Sequence, residues 1–345
     1  MSEPAAGRRD WRPTASREAL VCRARVLART RAFFATRGVL EVETPQLAAA
    51  PVTDPHLEAI SCRLDLPSAT GSYDGVYYLQ TSPEYAMKRL LAAGSGPIYQ
   101  IARAFRDGEV GRRHNPEFTL LEWYRPGFDH LDLMTEVAEL LLTVLGEPAP
   151  APPVERLSYA EAFRRHAGVD SVHTARPDEL SACAEAAGVE VVGLDPHGDR
   201  DDWLHLLMSH LVEPRLGRDA EGRRVITLLY DYPATQAALA RIRPAEGDRP
   251  AVAERFEVYV DGVELANGFH ELEDAAEQRR RFEADLDERR RRGSSTPPID
   301  ECLLDALDAG LGDCAGVALG IDRLVMLASG AEDLREVLAF PIDRA

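Results

Sequence analysis

The chain has 345 residues with 40 basic and 58 acidic side chains, a formal net charge of −18, and 45% of its residues are hydrophobic. That apolar content excludes a wholly disordered polymer. No run of eighteen apolar residues offers a membrane span, the polar stretch Met1 to Trp11 lacks the core of a secretion signal, and the acidic balance argues against nucleic acid as principal partner.

In chain order, residues 1–16 read as a flexible leader. Arg17 to Arg37 then repeats Leu20, Leu27 and Phe34 at helical spacing and stops at Gly38. Val39 to Pro45 alternates apolar with acidic residues, as a strand does. Tyr77 to Gln80 is a second short strand. A helix opens at Ser82-Pro83, where proline is tolerated and Glu84 suits the positive end. Ile98 to Phe105 and Phe118 to Trp123 are strands joined by a polar loop, and Leu131 to Leu145 is a helix. The proline-rich stretch Glu147 to Pro153 marks a linker.

Residues 154–217 are expected as a mostly helical insertion. Strands return at Val225 to Leu229 and Phe256 to Val260; Asp261-Gly262 is a hairpin turn signal, with the return strand from Val263. Glu273 to Arg292 is a long charged helix with a solvated face. Val317 to Gly320 is a strand before an apolar helix near Asp322. Strands this far apart in sequence, among helices, indicate an α+β fold around an antiparallel sheet. Five cysteines (Cys22, Cys62, Cys183, Cys302 and Cys314) lack CxxC spacing and are expected as reduced thiols of a cytoplasmic protein.

Three clusters carry chemistry. In Phe105 to Phe118 (FRDGEVGRRHNPEF) an arginine leads from strand to loop. Its guanidinium fork suits a carboxylate or phosphate, although a charged hairpin has the same pattern. His114 has no second His or Cys nearby at ligand spacing. In Phe256 to Glu271, a two-residue turn at Asp261-Gly262 would set Tyr259 opposite Glu264 and put Glu257 and Glu264 diagonally on one face. Two such carboxylates repel unless a cation joins them; Mg²⁺ prefers oxygen ligands, whereas zinc is disfavoured. A solvated sheet face is the alternative. In Gly316 to Leu327 (GVALGIDRLVML), small residues in a strand permit close approach of a flat ligand, or tight helix–sheet packing. No Walker A loop, GxGxxG, serine elbow or HExxH is present.

Taken in order, GVLEVETP (38–45), FRDGEVGRRHNPEFTLLEWY (105–124), ELANGFHEL (264–272) and GVALGIDRLVML (316–327) resemble the signature motifs of class II aminoacyl-tRNA synthetases, nearest to the lysine enzymes. Only 37 residues precede Gly38, too few for the anticodon-binding domain of those enzymes. Thr81-Ser82-Pro83-Glu84 and Ala318 depart from their usual Ala and Gly. These features resemble a truncated branch that activates (R)-β-lysine with ATP and transfers it to a lysine of elongation factor P. Residues 17–345 would form the catalytic domain.

The resemblance implies that Arg106 bridges substrate carboxylate and α-phosphate and that Arg323 grips the γ-phosphate. Glu257 and Glu264 would hold Mg²⁺, and Glu84 would accept the backbone-type amine. Asn267 would donate to the carboxylate, and Tyr124 with Glu271 would receive the terminal ammonium. Ser82, Pro83 and Ala318 would line the amino-acid pocket; Asp107, Gly108, Glu109, Asn115, Leu265 and Gly320 would lie along the ATP. Gly108 stands where relatives carry a glutamate near adenine, and Glu109 is a candidate replacement. A homodimer is implied, with Val39, Val42 and Pro45 near the seam; tRNA is a disfavoured partner. Charging of tRNA or a small acceptor is the alternative enzyme reading, and a non-catalytic binding protein the alternative of another class.

Overall fold

The structure is a computed structural model describing residues 11–65, 75–145 and 151–345. Part of the expected linker and most of the leader lie outside these residues. The described end of the leader is fastened: Thr14 N–H donates to Ala339 O at 3.0 Å, its hydroxyl to Leu338 O at 2.8 Å, and Ala15 is buried. Ser16 Oγ then accepts from Ala19 N and caps α1, Arg17–Thr36. Helix α1 buries Val26, Phe33 and Phe34 and ends at Gly38, whose φ of +65° suits glycine. The strand expected over Val39 to Pro45 shrinks to β1, Leu40–Glu41.

A small sheet follows, with β2 (Leu47–Ala48) and β3 (Ser61–Arg63) flanking β4 (Val76–Leu79). Pro83 sits at the N-cap of α2, Glu84–Ala92. Next come β5, Ile98–Phe105, β6, Glu117–Pro126, and α3, His130–Leu145. Residues 154–217 open with a strand rather than a helix: β7, Val154–Ser158, precedes α4 (Tyr159–Ala167), α5 (Pro177–Ala186) and α6 (Arg200–Leu207). Strands β8 (Ile226–Pro233), β9 (Ile242–Arg243), β10 (Val252–Val260) and β11 (Val263–His270) come next. The chain continues through α7 (Ala275–Arg292), α8 (Glu301–Gly310), β12 (Cys314–Gly320) and α9 (Ile321–Ser329).

The main sheet runs β1-β5-β6-β12-β11-β10-β8-β7, with β9 added beside β10. Only the outer pairs β1–β5 and β7–β8 are parallel; the centre is antiparallel, as expected for the α+β class. Helices α1, α3 and α9 cover one face, where their Phe34, Leu140 and Leu324 pack in one core with Trp123 of β6. The β10–β11 turn has φ of +55° at Asp261 and +69° at Gly262, the doubly left-handed geometry that an Asp-Gly pair favours.

Two expectations need correction. Helix α7 is not simply a solvated face: Phe282 and Leu286 are buried, and Arg289 is 1% exposed. Arg289 donates to Asp54 O at 2.7 Å and Leu57 O at 3.0 Å and pairs with Glu58 at 2.7 Å, so it fastens a loop. Val39, placed near a dimer seam, packs inside the core. Leu40 and Leu47 are the exposed apolar side chains of that segment.

Candidate active site

Period-two alternation on three neighbouring strands builds the floor of a 620 Å³ cavity. On β6, Leu121 and Trp123 point into the helical core, so Leu120, Glu122 and Tyr124 face the cavity. Register places Asn267, Ala318 and Glu122 in one row and Phe269, Gly316 and Tyr124 in the next. The middle strand must be small. A Cβ on Gly316 would come within 2.3 Å of the Tyr124 ring and 2.4 Å of Glu271 Oε1. The close approach that the small residues permit is therefore first one between protein side chains. Gly316→Ala is expected to cost about 1–3 kcal/mol by overpacking and to push Tyr124 and Glu271 apart; thermal melting beside amino-acid titration checks both.

One end of the cavity is acidic. Glu84 projects from the first turn of α2, and Lys88, one turn on, bridges it to Glu271 with Nζ 2.6 Å from each carboxylate. Lys88 is 2% exposed. Burial alone would lower its pKa, but Glu271 and Glu84 outweigh that and hold it charged. Glu122 accepts from Ser82 Oγ at 3.0 Å, and the Tyr124 hydroxyl lies 3.4 Å away. Burial, then the charge of Glu84, pushes Glu122 up to about 8, and burial pushes Glu271 up to about 7. Three carboxylates with one fixed ammonium leave a site that favours added cations. A larger neighbouring cavity of 830 Å³ between residues 45–52 and 296–302 shares Ser82 and Tyr85 with this one. It lacks the converging carboxylates.

The other end is basic. Arg106 closes β5 with its guanidinium 5.0 Å from the Phe118 ring centroid and 3.6 Å from Glu109. Its Nε is buried without a partner, an orphan donor beside the cavity. Arg323, in the first turn of α9, donates to Glu264 O at 2.8 Å, contacts His114 Nε2 at 2.9 Å and reaches Arg113 O at 3.4 Å. Burial and the Arg323 charge lower the His114 pKa, which keeps that ring neutral as an acceptor. The nearest carboxylate oxygen to Arg323, that of Glu264, is 3.8 Å away, so its charge is oriented but scarcely neutralised. Asp322 anchors this turn: it pairs with Arg23 of α1 and accepts from Thr119 N.

Between the two ends, Tyr259 pairs with Glu264 as expected, but Glu257 lies opposite Asn267. A bulge causes the shift: Leu265 and Ala266 are both buried, which returns Glu264 and Asn267 to one face. Glu257 is held by Arg255 and by the Tyr259 hydroxyl, each at 2.5 Å. The Glu264 side chain keeps 38% of its surface, so solvent tempers the upward pull exerted by burial and by Glu257. Glu213 joins this group, 3.1 Å from the Tyr259 hydroxyl, with its pKa raised by burial and by Glu257. A set of oxygen donors that repel one another suits a hard divalent cation.

Other expected residues take more structural places. Asp107 and Gly108 form a tight turn at φ +75°, with Gly108 N–H donating to the Asp107 carboxylate. Glu109 turns toward Arg106. Asn115, expected beside ATP, donates to Glu117 O at 2.6 Å and accepts from Ile342 N at 3.0 Å, tying the loop to the C-terminal segment. The Leu265 side chain lies in the core, and Gly320 sits at the N-cap of α9. Sequence reading missed Glu122, Lys88, Arg255 and Glu213. Period-two spacing from Tyr124 would have found the first, four-residue spacing from Glu84 the second, and two-residue spacing from Glu257 the third. Glu213 carries no such signal.

A model of the class II tRNA synthetases (D, K and N) matches residues 7–344. The chain belongs to that family. Among curated class II relatives, proteins named elongation factor P–(R)-β-lysine ligase from Salmonella dublin and Salmonella typhimurium are 52% identical over 347 residues, covering 100% of this chain and of each relative. One from Salmonella paratyphi B is 51% identical over 346 residues with the same coverage. Membership in this class II family carries ligase chemistry and the use of ATP with it.

Proposed function

We propose that this enzyme adenylates (R)-β-lysine, or lysine, and passes it to the ε-amine of a lysine of elongation factor P. The end-to-end match to relatives named for that reaction carries the reading. The acidic end of the cavity supports it, since a substrate with two ammonium groups needs two anionic acceptors. In this reading Glu84 takes the backbone-type amine, Glu271, Tyr124 and Glu122 the distant one, and Asn267 the carboxylate, with Ser82, Pro83 and Ala318 as walls. Arg106 draws the substrate carboxylate and the α-phosphate together, and Arg323 orients the far phosphate. Glu257 and Glu264 would hold Mg²⁺, whose charge would neutralise the phosphates. Incubating elongation factor P with enzyme, Mg²⁺, ATP and β-lysine should raise its intact mass by one lysyl residue. No increase with either lysine isomer refutes the proposal.

A substrate ammonium favours the ionised form of Glu122, so binding should expel its proton at neutral pH. The KM for the amino acid is expected to fall by up to about tenfold per pH unit as pH rises toward 8, then level off. Glu122→Gln should raise KM and flatten this profile. Stability has the opposite trend. The folded pKa lies above the unfolded one, so this group costs stability as pH rises from about 4.3 through 8. The Gln variant should therefore gain relative stability at pH 8, as melting curves would show.

A homodimer joined at the motif 1 segment is part of the same reading, with exposed Leu40 and Leu47 as apolar contacts. Sedimentation should give twice the 38.0 kDa chain mass; a monomer at micromolar concentration would overturn it.

A further inference from the structure

Phe269 of β11 and Glu271, just past its end, line the cavity, and His270, between them, turns to the opposite face. There His270 meets His130, the first residue of α3. His130 is 2% exposed, and neither of its ring nitrogens has a hydrogen-bond partner among the described residues. One ligand atom each from His130, His270 and Glu254 of β10 lie within 4.8 Å of one another. On β8, Asp231 Oδ1 is 3.8 Å from His130 Nε2 and is itself buried without a hydrogen bond. Asp231 holds this place at φ +60°, a conformation rare outside glycine.

We propose that His130, Glu254 and His270, with Asp231 as fourth donor, bind one divalent transition-metal ion of the zinc class. Two imidazoles with carboxylates form a mixed nitrogen–oxygen set that suits zinc and its first-row neighbours better than Mg²⁺. His270 Nε2 lies 2.8 Å from Asp313. That carboxylate would hold the Nε2 proton and leave Nδ1 to the metal, the outer-shell arrangement usual for histidine ligands. Nδ1 lies 2.6 Å from Glu254. Bonds of about 2.0–2.1 Å in a tetrahedron require ligand atoms about 3.4 Å apart, which small side-chain rotations from the present spacing supply. Arg243 is the competing cation, 2.8 Å from Asp231 and 3.9 Å from Glu254, but its side chain is 46% exposed and can swing outward. The bound ion would pin the start of α3 to β8, β10 and β11 behind the cavity floor, a structural and not a catalytic role.

The test uses the full-length protein, stripped with chelator and returned to saturating Mg²⁺ so that the Glu257–Glu264 group is occupied. Titration with Zn²⁺ should load one equivalent and raise the melting temperature. Co²⁺ should give the visible absorption of a four-coordinate site. His130→Met, which keeps side-chain bulk, and His270→Asn should each abolish that spectrum and the one-equivalent uptake; circular dichroism identifies a variant that has not folded, and the other then decides. Absence of uptake at micromolar metal, or an unchanged Co²⁺ spectrum in a folded variant, overturns the proposal and leaves the cluster a His270 imidazolium clamped between Glu254 and Asp313.

Discussion

Arg106→Lys is expected to lower amino-acid-dependent exchange of pyrophosphate into ATP by about 10²–10³-fold, the usual loss when one oriented donor to a developing anion is removed. Lysine keeps the positive charge but not the planar fork, so it cannot join a carboxylate and a phosphate in parallel bonds. Among the described residues, the Arg106 side chain is held by weak contacts to Glu109 and the Phe118 ring. The melting curve should therefore move by no more than about 1 kcal/mol in unfolding free energy. Near-normal exchange would show that the catalytic centre has been assigned wrongly.

Lys88→Met should do the reverse, damaging the fold as much as the chemistry. Removing one partner of a buried ion pair costs about 3–5 kcal/mol, and here a single ammonium serves both Glu84 and Glu271. Without it the Glu271 carboxyl, already pushed up to about 7 by burial, is driven higher still. The deficit against the parent protein is then full above the raised value and shrinks as pH falls through about 7. Melting at pH 8 and pH 5 measures this, and adding Glu271→Gln should recover part of the loss at pH 8. A difference independent of pH would mean that Lys88 matters for packing alone.

The sheet and hairpin were legible because their signals are local. Asp261-Gly262 demands a left-handed turn, and β5, β6 and β12 are short, largely apolar runs next to polar loops. Glu257 opposite Asn267 was not legible, because nothing in Glu264-Leu265-Ala266 announces that two successive side chains turn inward. Arg289 was hidden for a different reason. In a run of four arginines the one that is buried is chosen by a loop more than two hundred residues away. Of the acidic end, Glu84 and Glu271 were readable by resemblance. Glu122 stands in a mostly apolar strand, and only the register that sets it beside Ala318 gives it a place in the site. Asn115 has a role that its motif does not announce: both ends of its amide bond backbone groups and tie the loop to the C-terminal segment.

The single lysine has a practical side. Every other cationic side chain except histidine is arginine, and Lys88 is sealed between two carboxylates. Reagents that acylate side-chain amines, an aminoacyl adenylate among them, therefore find no exposed lysine on the enzyme. In a mixture with a lysine-bearing acceptor, side-chain acylation should be confined to that acceptor. Amine-directed cross-linkers, for the same reason, are the wrong chemistry for trapping the two together, and carboxylate-directed reagents, which meet an abundant acidic surface, are the right one.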